Sequence, residues 1–435
     1  MKTFRPWDFE QSWLLPPSVL DFVPPDDPAH FIRELVRESI DLSEIYAEYT
    51  EERGYPPYHP AMMTALILYA YSQGVFSSRK IARACVQRVD FMAVTGLQKP
   101  NFRTVNKFRA RHLAALSGLF VQVLTLCRKA GLAKLGHVAV DGTKIAANAS
   151  KHKAMSYARM KQQEKELEGV VRGWFEQAED EDRREDETYG EDQSGDEMPD
   201  WVANKDKRLQ KIREAKEALE AEAKQEAAGR EKIRARGCKP KHNADGSPGD
   251  KSQRNFTDPD SKILKTADGY VQGYNGQLAV DAEHQIIIAH DLSNRQNDVE
   301  MLDPMLALVK HNTGRQAKEV SADAGYCSES NLRKLNRRHI RGYIATGRQS
   351  HGDTSPRGRL GQTPGTATYE MRLRIAKAGF RSRYRLRKHV VEPVIGQIKA
   401  ALGFTRFLLC GLDKVRLEWG LVCLASNLRK LAAAS

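Results

Sequence analysis

Two aspartates stand directly after short apolar segments of the kind that form buried strands. Asp141 follows residues 138–140 (VAV), Asp323 follows residues 320–322 (VSA), and a third carboxylate, Glu392, lies in a segment with a helical pattern. Carboxylates at strand ends gather where α/β active sites form. Three converging carboxylates without cysteine or paired histidine are hard oxygen ligands, suited to Mg²⁺ with Mn²⁺ as a substitute. Two such ions activate a water or a 3′-hydroxyl and stabilise the leaving oxygen of a phosphodiester.

Other roles for acidic residues remain open at this stage. Asp141 and Asp323 could each cap a turn or helix after a strand, and Glu392 could be an ordinary acid of a first helical turn. Five further aspartates compete as metal ligands: Asp258, Asp260, Asp281, Asp291 and Asp298. The Asp258-Pro-Asp260 sequence is typical of a turn, and Asp298 is interpreted as the cap of a helix through residues 305–309.

The charge of the chain is distributed unevenly. The 435 residues carry 69 Lys and Arg against 56 Asp and Glu, a formal net charge of +13. Residues 176–200 hold thirteen acidic residues and two arginines, whereas residues 371–435 hold fourteen basic residues and three acidic ones. A body this basic favours a polyanionic partner such as nucleic acid, with a generic solvated surface as the alternative.

Composition excludes two classes of protein. The longest apolar stretch, residues 61–71, has about half of the ~20 residues that a membrane span needs, and no secretory signal is visible at the start. The six cysteines are scattered without CxxC spacing, so disulfide frameworks and zinc clusters are not expected and a reducing cytosol fits best.

The pattern along the chain divides it in two. Residues 1–130 are mainly helical, and two short helices near residues 78 and 102 suit a helix-turn-helix-like module whose basic residues are Arg79, Lys80, Arg103 and Lys107. From residue 137 the order is strand, large insertion, two strands, helix, strand, helix, strand, helix. Within the insertion we expect no strand, a loop-like acidic run and a long solvated helix over 204–236.

Several segments resemble the insertion-sequence DDE transposases of bacteria. Residues 140–150 (VDGTKIAANAS), 322–326 (ADAGY) and 391–399 (VEPVIGQIK) are similar to the three catalytic blocks of that family. Residues 58–63 (YHPAMM), 74–83 (GVFSSRKIAR), 102–109 (FRTVNKFR) and 257–260 (TDPD) also resemble it, so the likeness follows nearly the whole chain in order.

The resemblance implies a fold and a division into domains. The expected fold is an α/β, ribonuclease-H-like mixed sheet core flanked by helices, split by a largely helical insertion and preceded by an all-α domain. Asp141 would lie on its first strand, Asp323 on its fourth and Glu392 on the following helix. The expected domains are a helical DNA-binding domain over residues 1–130 and a catalytic domain over 131–435, with the insertion over 151–250.

One motif departs from the family pattern. Related transposases often carry Tyr-x2-Arg-x3-Glu-x6-Lys around the glutamate. Lys399 fits that pattern, whereas Arg385 and Lys388 occupy the tyrosine and arginine positions, with Tyr384 and Arg387 one residue earlier. We expect Lys399 to contact a phosphate of the transposon end, and the remaining DNA-binding candidates are Lys388, Arg387, Tyr384, Arg385 and Lys144.

The sequence therefore predicts an enzyme, a DDE transposase that uses two Mg²⁺ ions at Asp141, Asp323 and Glu392 to cut and join DNA. Its partners would be transposon ends with terminal inverted repeats and target DNA, bound by a homodimer, with no membrane partner. Its location would be the bacterial cytoplasm, in association with the nucleoid. The alternatives are a catalytically inactive, repurposed DNA-binding derivative and an unrelated metal-dependent nuclease.

Overall fold

The amino-terminal part of the chain is helical. The computed structural model describes residues 18–50, 56–189, 200–230, 246–266, 269–347, 363–378 and 383–435. The first seven helices are α1 (Pro28–Glu38), α2 (Ser43–Tyr46), α3 (Pro60–Ser72), α4 (Ser78–Gln87), α5 (Val89–Thr95), α6 (Phe102–Arg111) and α7 (Leu113–Lys129). Their starts follow local chemistry, since Asp27 caps α1 ahead of Pro28 and Asn101 caps α6. Helix α3 is apolar on every side and is buried from Met63 onward.

A mixed sheet forms the centre of the rest of the chain. Its strands are β1 (His137–Ala146), β4 (Lys262–Thr266), β5 (Gly269–Asp281), β6 (Ile287–Ser293), β7 (Glu319–Ala322) and β8 (Arg341–Ile344), in the order β4-β5-β1-β7-β8 with β6 also on β5. Strands β1, β7 and β8 are parallel, whereas β5 pairs antiparallel with β1, β4 and β6. The two strands predicted directly after the insertion are confirmed as β5 and β6, which pair as an antiparallel hairpin, and β4 is an additional strand that the pattern did not indicate.

The first strand is longer than its apolar pattern indicates. Sequence reasoning ended it at Asp141, but β1 continues to Ala146 because β5 pairs with it residue by residue, as far as Ala146 opposite Gly273. The parallel pairing with β7 does stop at Val140 opposite Ala322. Asp141 therefore lies in the middle of a strand, at the position where its parallel neighbour ends.

Two long helices, α8 (Tyr157–Tyr189) and α9 (Asp200–Arg230), make up most of the insertion between β1 and β4. They pack as a hairpin with a small core of its own, formed by Tyr157, Met160, Ile212, Ala215 and Leu219. The predicted helix over 204–236 is confirmed from 204 to 230, and residues 231–236 lie outside the described residues. Its predicted solvation is wrong on one side, because one face of α9 is buried against α8.

Two further expectations for the insertion need correction. Strands β2 (Ala154–Ser156) and β3 (Gln253–Asn255) pair across the base of the hairpin, where no strand was expected. Residues 176–189 of the acidic run belong to helix α8, consistent with the strong helix propensity of glutamate, and residues 190–199 lie outside the described residues.

In the described residues that follow the insertion, the α-helices are α10 (Leu302–Thr313), α11 (Glu329–Arg337), α12 (Ala367–Ala378), α13 (Leu386–Gly396) and α14 (Leu412–Ala432). A single hydrophobic core includes the amino-terminal helices, the sheet and α14, whose Trp419 is fully buried. Helix α14 packs against α7, α3 and β6. Within the described ranges no single helix is both long and apolar enough to cross a membrane, although α6 and α7 pass that test as a pair bent by 71°.

Candidate catalytic site

Asp141 is a buried carboxylate beside the end of β7. Its Oδ1 atom accepts a hydrogen bond from the Gly142 amide at 2.8 Å, and its Oδ2 atom contacts the Arg387 guanidinium. Burial raises the pKa of Asp141 to about 6, and the Arg387 charge lowers it while the nearby Asp323 and Asp298 raise it. The charge of Arg387 therefore does not offset the burial of Asp141 and the nearby carboxylates, and a bound cation would supply further positive charge.

Asp323 lies one residue beyond β7. Its Oδ1 atom accepts from the Gly325 amide at 2.8 Å and caps the short 3₁₀ turn Ala324–Tyr326. Burial, followed by the charge of Asp298, raises the pKa of Asp323. Asp323 therefore does cap a turn, and it also lies beside two other carboxylates.

Glu392 is linked to Asp141 through an arginine. It lies on α13, which packs against β1, and its side chain is 47% exposed. Arg387 contacts Asp141 with Nη1 and lies 3.1 Å from Glu392 Oε1 through Nη2. In the part of the chain that the structure describes, no three His, Cys, Asp or Glu side chains are close enough together to hold a metal ion.

Asp298 also lies beside these aspartates. The sequence offered it as a competing metal ligand, but another role was preferred. It was interpreted as a helix cap, but α10 begins at Leu302 after Met301, and no side chain caps it. Asp298 instead accepts hydrogen bonds from Asn275 at 2.6 Å and Gln277 at 2.8 Å, both on β5. The sequence signal for a site residue was the Asn-Asp pair between a strand and a helix, but that pattern is equally typical of a helix cap.

The space beside these aspartates fits a hard cation. A Cβ atom on Gly142 would lie 2.8 Å from Asp298 Oδ1 and 2.9 Å from Asn275 Oδ1, and one on Gly325 would lie 3.0 Å from Asp323 Oδ1. Asn275 is fully buried, and its Oδ1 atom has no hydrogen-bond partner. The Gln277 amide nitrogen is the atom nearest to the Gly142 Cβ position, at 2.6 Å, and donates to Asp298. The oxygens of Asp298, Asn275 and Asp323 are ligands of the type that Mg²⁺ or Mn²⁺ prefers, and Arg387 holds Glu392 apart from them.

One of the predicted DNA-binding lysines, Lys144, lies next to the aspartates, and a second, Lys399, contacts its backbone. Lys144 lies 3.7 Å from Asp298 Oδ1 and donates to the Gln296 carbonyl at 3.1 Å, and burial lowers its pKa. Lys399 donates to the Lys144 carbonyl at 2.8 Å, and burial also lowers its pKa. Lys399 was expected two α-helical turns beyond Glu392, but the helix changes to a π-helix over Gln397–Ala401, which alters its angular position.

The other candidates beside Glu392 lie at the start of α13. Tyr384 is half-buried near Arg387 and Asp323, and burial raises its pKa. Arg385 and Lys388 have exposed side chains. Arg387 contacts Asp141 and Glu392 directly.

The amino-terminal candidates form a separate basic surface. Arg79 and Lys80 on α4, and Arg103 and Lys107 on α6, are exposed, and the two helices pack together. Phe102 is 39% exposed between two guanidinium groups, with Arg79 at 5.3 Å and Arg103 at 5.8 Å from its ring centroid. This arrangement can neutralise phosphates while presenting an aromatic ring.

Comparison with known protein families gives two matches. A family model described as "Transposase domain (DUF772)" matches residues 17–111, and one described as "Transposase DDE domain" matches residues 245–428. The second match includes Asp323 and Glu392, whereas Asp141 lies between the two segments. No curated protein and no solved structure matches the chain significantly.

An amino-terminal helical domain followed by a mixed α/β domain, each with its transposase match, defines a DNA-rearranging protein of the DDE type. The chain belongs to the insertion-sequence DDE transposases. Proteins of this family act on DNA and typically use divalent metal ions.

Proposed function

We propose that this transposase cleaves DNA at the ends of an insertion-sequence element and joins those ends to target DNA. The observation that carries the proposal is the grouping of Asp141, Asp323 and Glu392 around Arg387, where β7 ends beside β1. These three residues were selected from sequence blocks that resemble the catalytic blocks of the family.

The sheet supports a ribonuclease-H-like core. Leaving aside β4 and the two strands of the insertion, β1, β5, β6, β7 and β8 are the first to fifth strands in chain order. Asp141 then lies on the first strand and Asp323 directly after the fourth, which is the placement that the family resemblance implies. We propose the same domain limits as before, residues 1–130 and 131–435, with 151–250 as the insertion.

Asp141 and Asp323 would hold the divalent cations, with Glu392 joining them when Arg387 releases it. We propose two ions, Mg²⁺ with Mn²⁺ as a substitute. When bound, such ions acidify a water or a 3′-hydroxyl and stabilise the leaving oxygen of the phosphodiester. Arg387 neutralises Asp141 and Glu392 in the free protein and would exchange them for a DNA phosphate, a planar bidentate partner of the kind that arginine prefers.

The remaining basic residues would position the DNA. Lys144 and Lys399 lie beside the aspartates and would neutralise the phosphates nearest the scissile bond, together with Tyr384, Arg385 and Lys388 at the start of α13. The α4–α6 surface would contact DNA farther along the duplex. Since two ends must be cut in concert, we propose that a homodimer acts on DNA bearing terminal inverted repeats, at the nucleoid of the bacterial cytoplasm.

The direct test is cleavage of labelled duplexes carrying the flanking ends of the element, in Mg²⁺ and in Mn²⁺. We expect wild type to nick at the ends and to join them to a target duplex. Asp323→Asn should bind within a few-fold of wild type and lose cleavage. The control is Asp303→Asn, which alters a carboxylate paired with Lys334 and Arg338 away from this site.

Cleavage by Asp323→Asn would reject the catalytic assignment. Binding without nicking by wild type in either metal would favour a repurposed DNA-binding protein, and nicking without joining would favour a nuclease.

A further inference from the structure

Asp298 lies between the two glycines that follow the predicted catalytic aspartates. A Cβ atom on Gly142 would lie 2.8 Å from Asp298 Oδ1, and one on Gly325 would lie 3.3 Å from Asp298 Oδ2. Gly142 follows Asp141 directly, and Gly325 is two residues beyond Asp323. A Cβ atom at Gly142 would require the Asp298 carboxylate to shift, and one at Gly325 would be in tight contact with it.

The two oxygens of Asp298 have different surroundings. Oδ1 accepts from Asn275 Nδ2 at 2.6 Å and from Gln277 Nε2 at 2.8 Å, and Gln277 is fixed in turn because its Oε1 atom accepts from the Tyr326 hydroxyl. Oδ2 receives no hydrogen bond from any residue that the structure describes. The network therefore fixes the carboxylate through one oxygen and leaves the other available.

The available oxygen faces Asp323. Asp298 Oδ2 and Asp323 Oδ1 lie 3.3 and 3.0 Å from the same point, the Cβ position of Gly325. Two carboxylates that lie so close to one point repel each other. Lys144 does not relieve this repulsion well, because it lies 3.7 Å from Oδ1, the opposite oxygen, and also donates to the Gln296 carbonyl.

A second oxygen without a hydrogen-bond partner lies beside the same carboxylate, on its Oδ1 side. Asn275 is fully buried, and its Oδ1 atom has no hydrogen-bond partner although it lies 2.9 Å from the Cβ position of Gly142. A buried amide oxygen without a partner is costly, and amide and carboxylate oxygens are both ligands for hard cations.

We propose that Asp298 is a fourth carboxylate of the catalytic cation site, contributing its Oδ2 atom beside Asp323 as a ligand for a divalent cation. This inference rests on the proposed function, because it places the new ligand in the same centre as Asp141 and Asp323. It adds a residue that the three-carboxylate motif does not contain.

The variant Asp298→Asn tests this role with minimal disturbance. Its carbonyl oxygen must occupy the Oδ1 position, because Asn275 and Gln277 both donate there, so its amide nitrogen takes the place of Oδ2. Titration of the full-length protein with Mn²⁺, followed by electron paramagnetic resonance, should show affinity weakened about 10- to 100-fold. The melting temperature without cation should stay the same or rise, because a repulsive charge has been removed.

Two variants make the result specific. Asp303→Asn should bind Mn²⁺ as wild type does, and Asp323→Asn should lose binding. Mn²⁺ affinity of Asp298→Asn within twofold of wild type would overturn the inference while leaving the proposed function intact, provided that Asp323→Asn still loses binding.

Two other outcomes also contradict the role of Asp298. A fall in the cation-free melting temperature of Asp298→Asn by several degrees, along with the affinity, would identify Asp298 as a structural residue. Unchanged Mn²⁺ binding in both Asp298→Asn and Asp323→Asn would remove the cation site from this location, and the proposed function would fail with it.

Discussion

The side chain of Arg387 acts as the counter-charge of the candidate site. It is only 13% exposed and lies between Asp141 and Glu392. Asp323 and Asp298 are close enough to raise the pKa of Asp141. Lys144 is the other cation beside these carboxylates. Removing one partner of a buried ion pair leaves an uncompensated charge, which usually costs more than the pair contributes.

Replacement of Arg387 should therefore make stability depend on cations. We expect Arg387→Gln to lose about 3 kcal/mol of unfolding free energy without metal, because Asp141 is left beside two other carboxylates. Added Mn²⁺ should restore much of that loss, so the rise in melting temperature on adding Mn²⁺ should be larger than in wild type. Lys388→Gln, at an exposed neighbouring position, is the control, and equal Mn²⁺ responses in the two variants would contradict the prediction.

Glu418 predicts a separate pH dependence of stability. It is fully buried on α14 and accepts from the amides of Leu408 and Leu409, and burial raises its pKa from 4.5 to about 7. The unfolded chain therefore releases this proton at lower pH than the folded protein does. Stability falls as pH rises from about 4.5 to about 7, by about 3 kcal/mol at ~1.4 kcal/mol per pKa unit.

Glu418→Gln should remove this pH dependence, because an amide does not titrate in this range. The variant should still fold, since its amide oxygen can accept from both backbone amides. Denaturant unfolding at pH 5 and pH 8 should show the variant gaining stability over wild type at the higher pH. The exposed Glu34→Gln should show no such divergence. A constant difference between Glu418→Gln and wild type across this range would disprove the assignment.

Sequence reasoning could select Asp141, Asp323 and Glu392 because each stands in a recognisable local context. It could not find the positions of Arg387 and Asp298 in the site, since both depend on contacts between distant elements. Asp298 was assigned to a helix start, but its carbonyl accepts from the Met301 amide in a turn, and its side chain turns back to β5.

At the scale of the elements, the extension of β1 beyond Asp141 depends on a glycine. In a sequence, a glycine such as Gly142 suggests the end of a strand. Here β1 continues through it, because only glycine fits: a larger residue would collide with Gln277, Asp298 and Asn275. Periodicity located β1, β5, β6 and β7 well, because their apolar residues alternate or run together. It did not indicate β4, whose sequence KILKT carries two lysines in five residues.

The helical hairpin of the insertion should open independently of the sheet. Ile212 is 1% exposed in the small α8–α9 core, and Ile212→Ala should cost that hairpin about 2 kcal/mol or more. Hydrogen exchange followed by mass spectrometry should show faster exchange in α9 and unchanged protection in β1 and β5. Lys211→Ala, on the exposed face, should leave both unchanged, and equal acceleration in the sheet would show that the hairpin is not a separate unit.

The pattern could not reveal which face of α9 is buried. Its apolar positions are sparse, and its charged residues suggested pairs within the helix. The structure places several of those charges across the hairpin instead, with Lys216 2.6 Å from Glu164 and Glu220 accepting from Tyr157 at 2.7 Å.

For the molecule as a whole, the uneven charge makes DNA binding depend on salt. A protein that neutralises six or more phosphates loses about 10³-fold in affinity between 50 and 200 mM salt, and we expect at least that loss here. Fluorescence anisotropy with a labelled duplex should show the double variant Arg103→Ala/Lys107→Ala reducing the salt slope by about 2. Lys207→Ala/Lys211→Ala on the insertion serves as the control, and equal slopes for the two pairs would remove α6 from the DNA-binding surface.

The two matched segments share one continuous core. Gly74, at φ +71°, packs so closely that a Cβ atom there would lie 2.6 Å from the Leu402 carbonyl oxygen, and Phe76 meets Phe404 with ring centroids 5.0 Å apart. Composition and motifs predicted both segments, but not this contact, because residues more than 300 positions apart leave no periodic signal in one sequence.

The position of α14 has a consequence for incomplete copies of the gene. Helix α14 covers apolar surfaces of α7 and α3, so a nascent chain cannot close this core until α14 has been synthesised. A frameshift or early stop codon that removed α14 would expose part of the surface of α3, which is apolar on every side. Such a product would be a substrate for proteases and chaperones, and would not persist as a free DNA-binding fragment that competes with the intact enzyme for its ends.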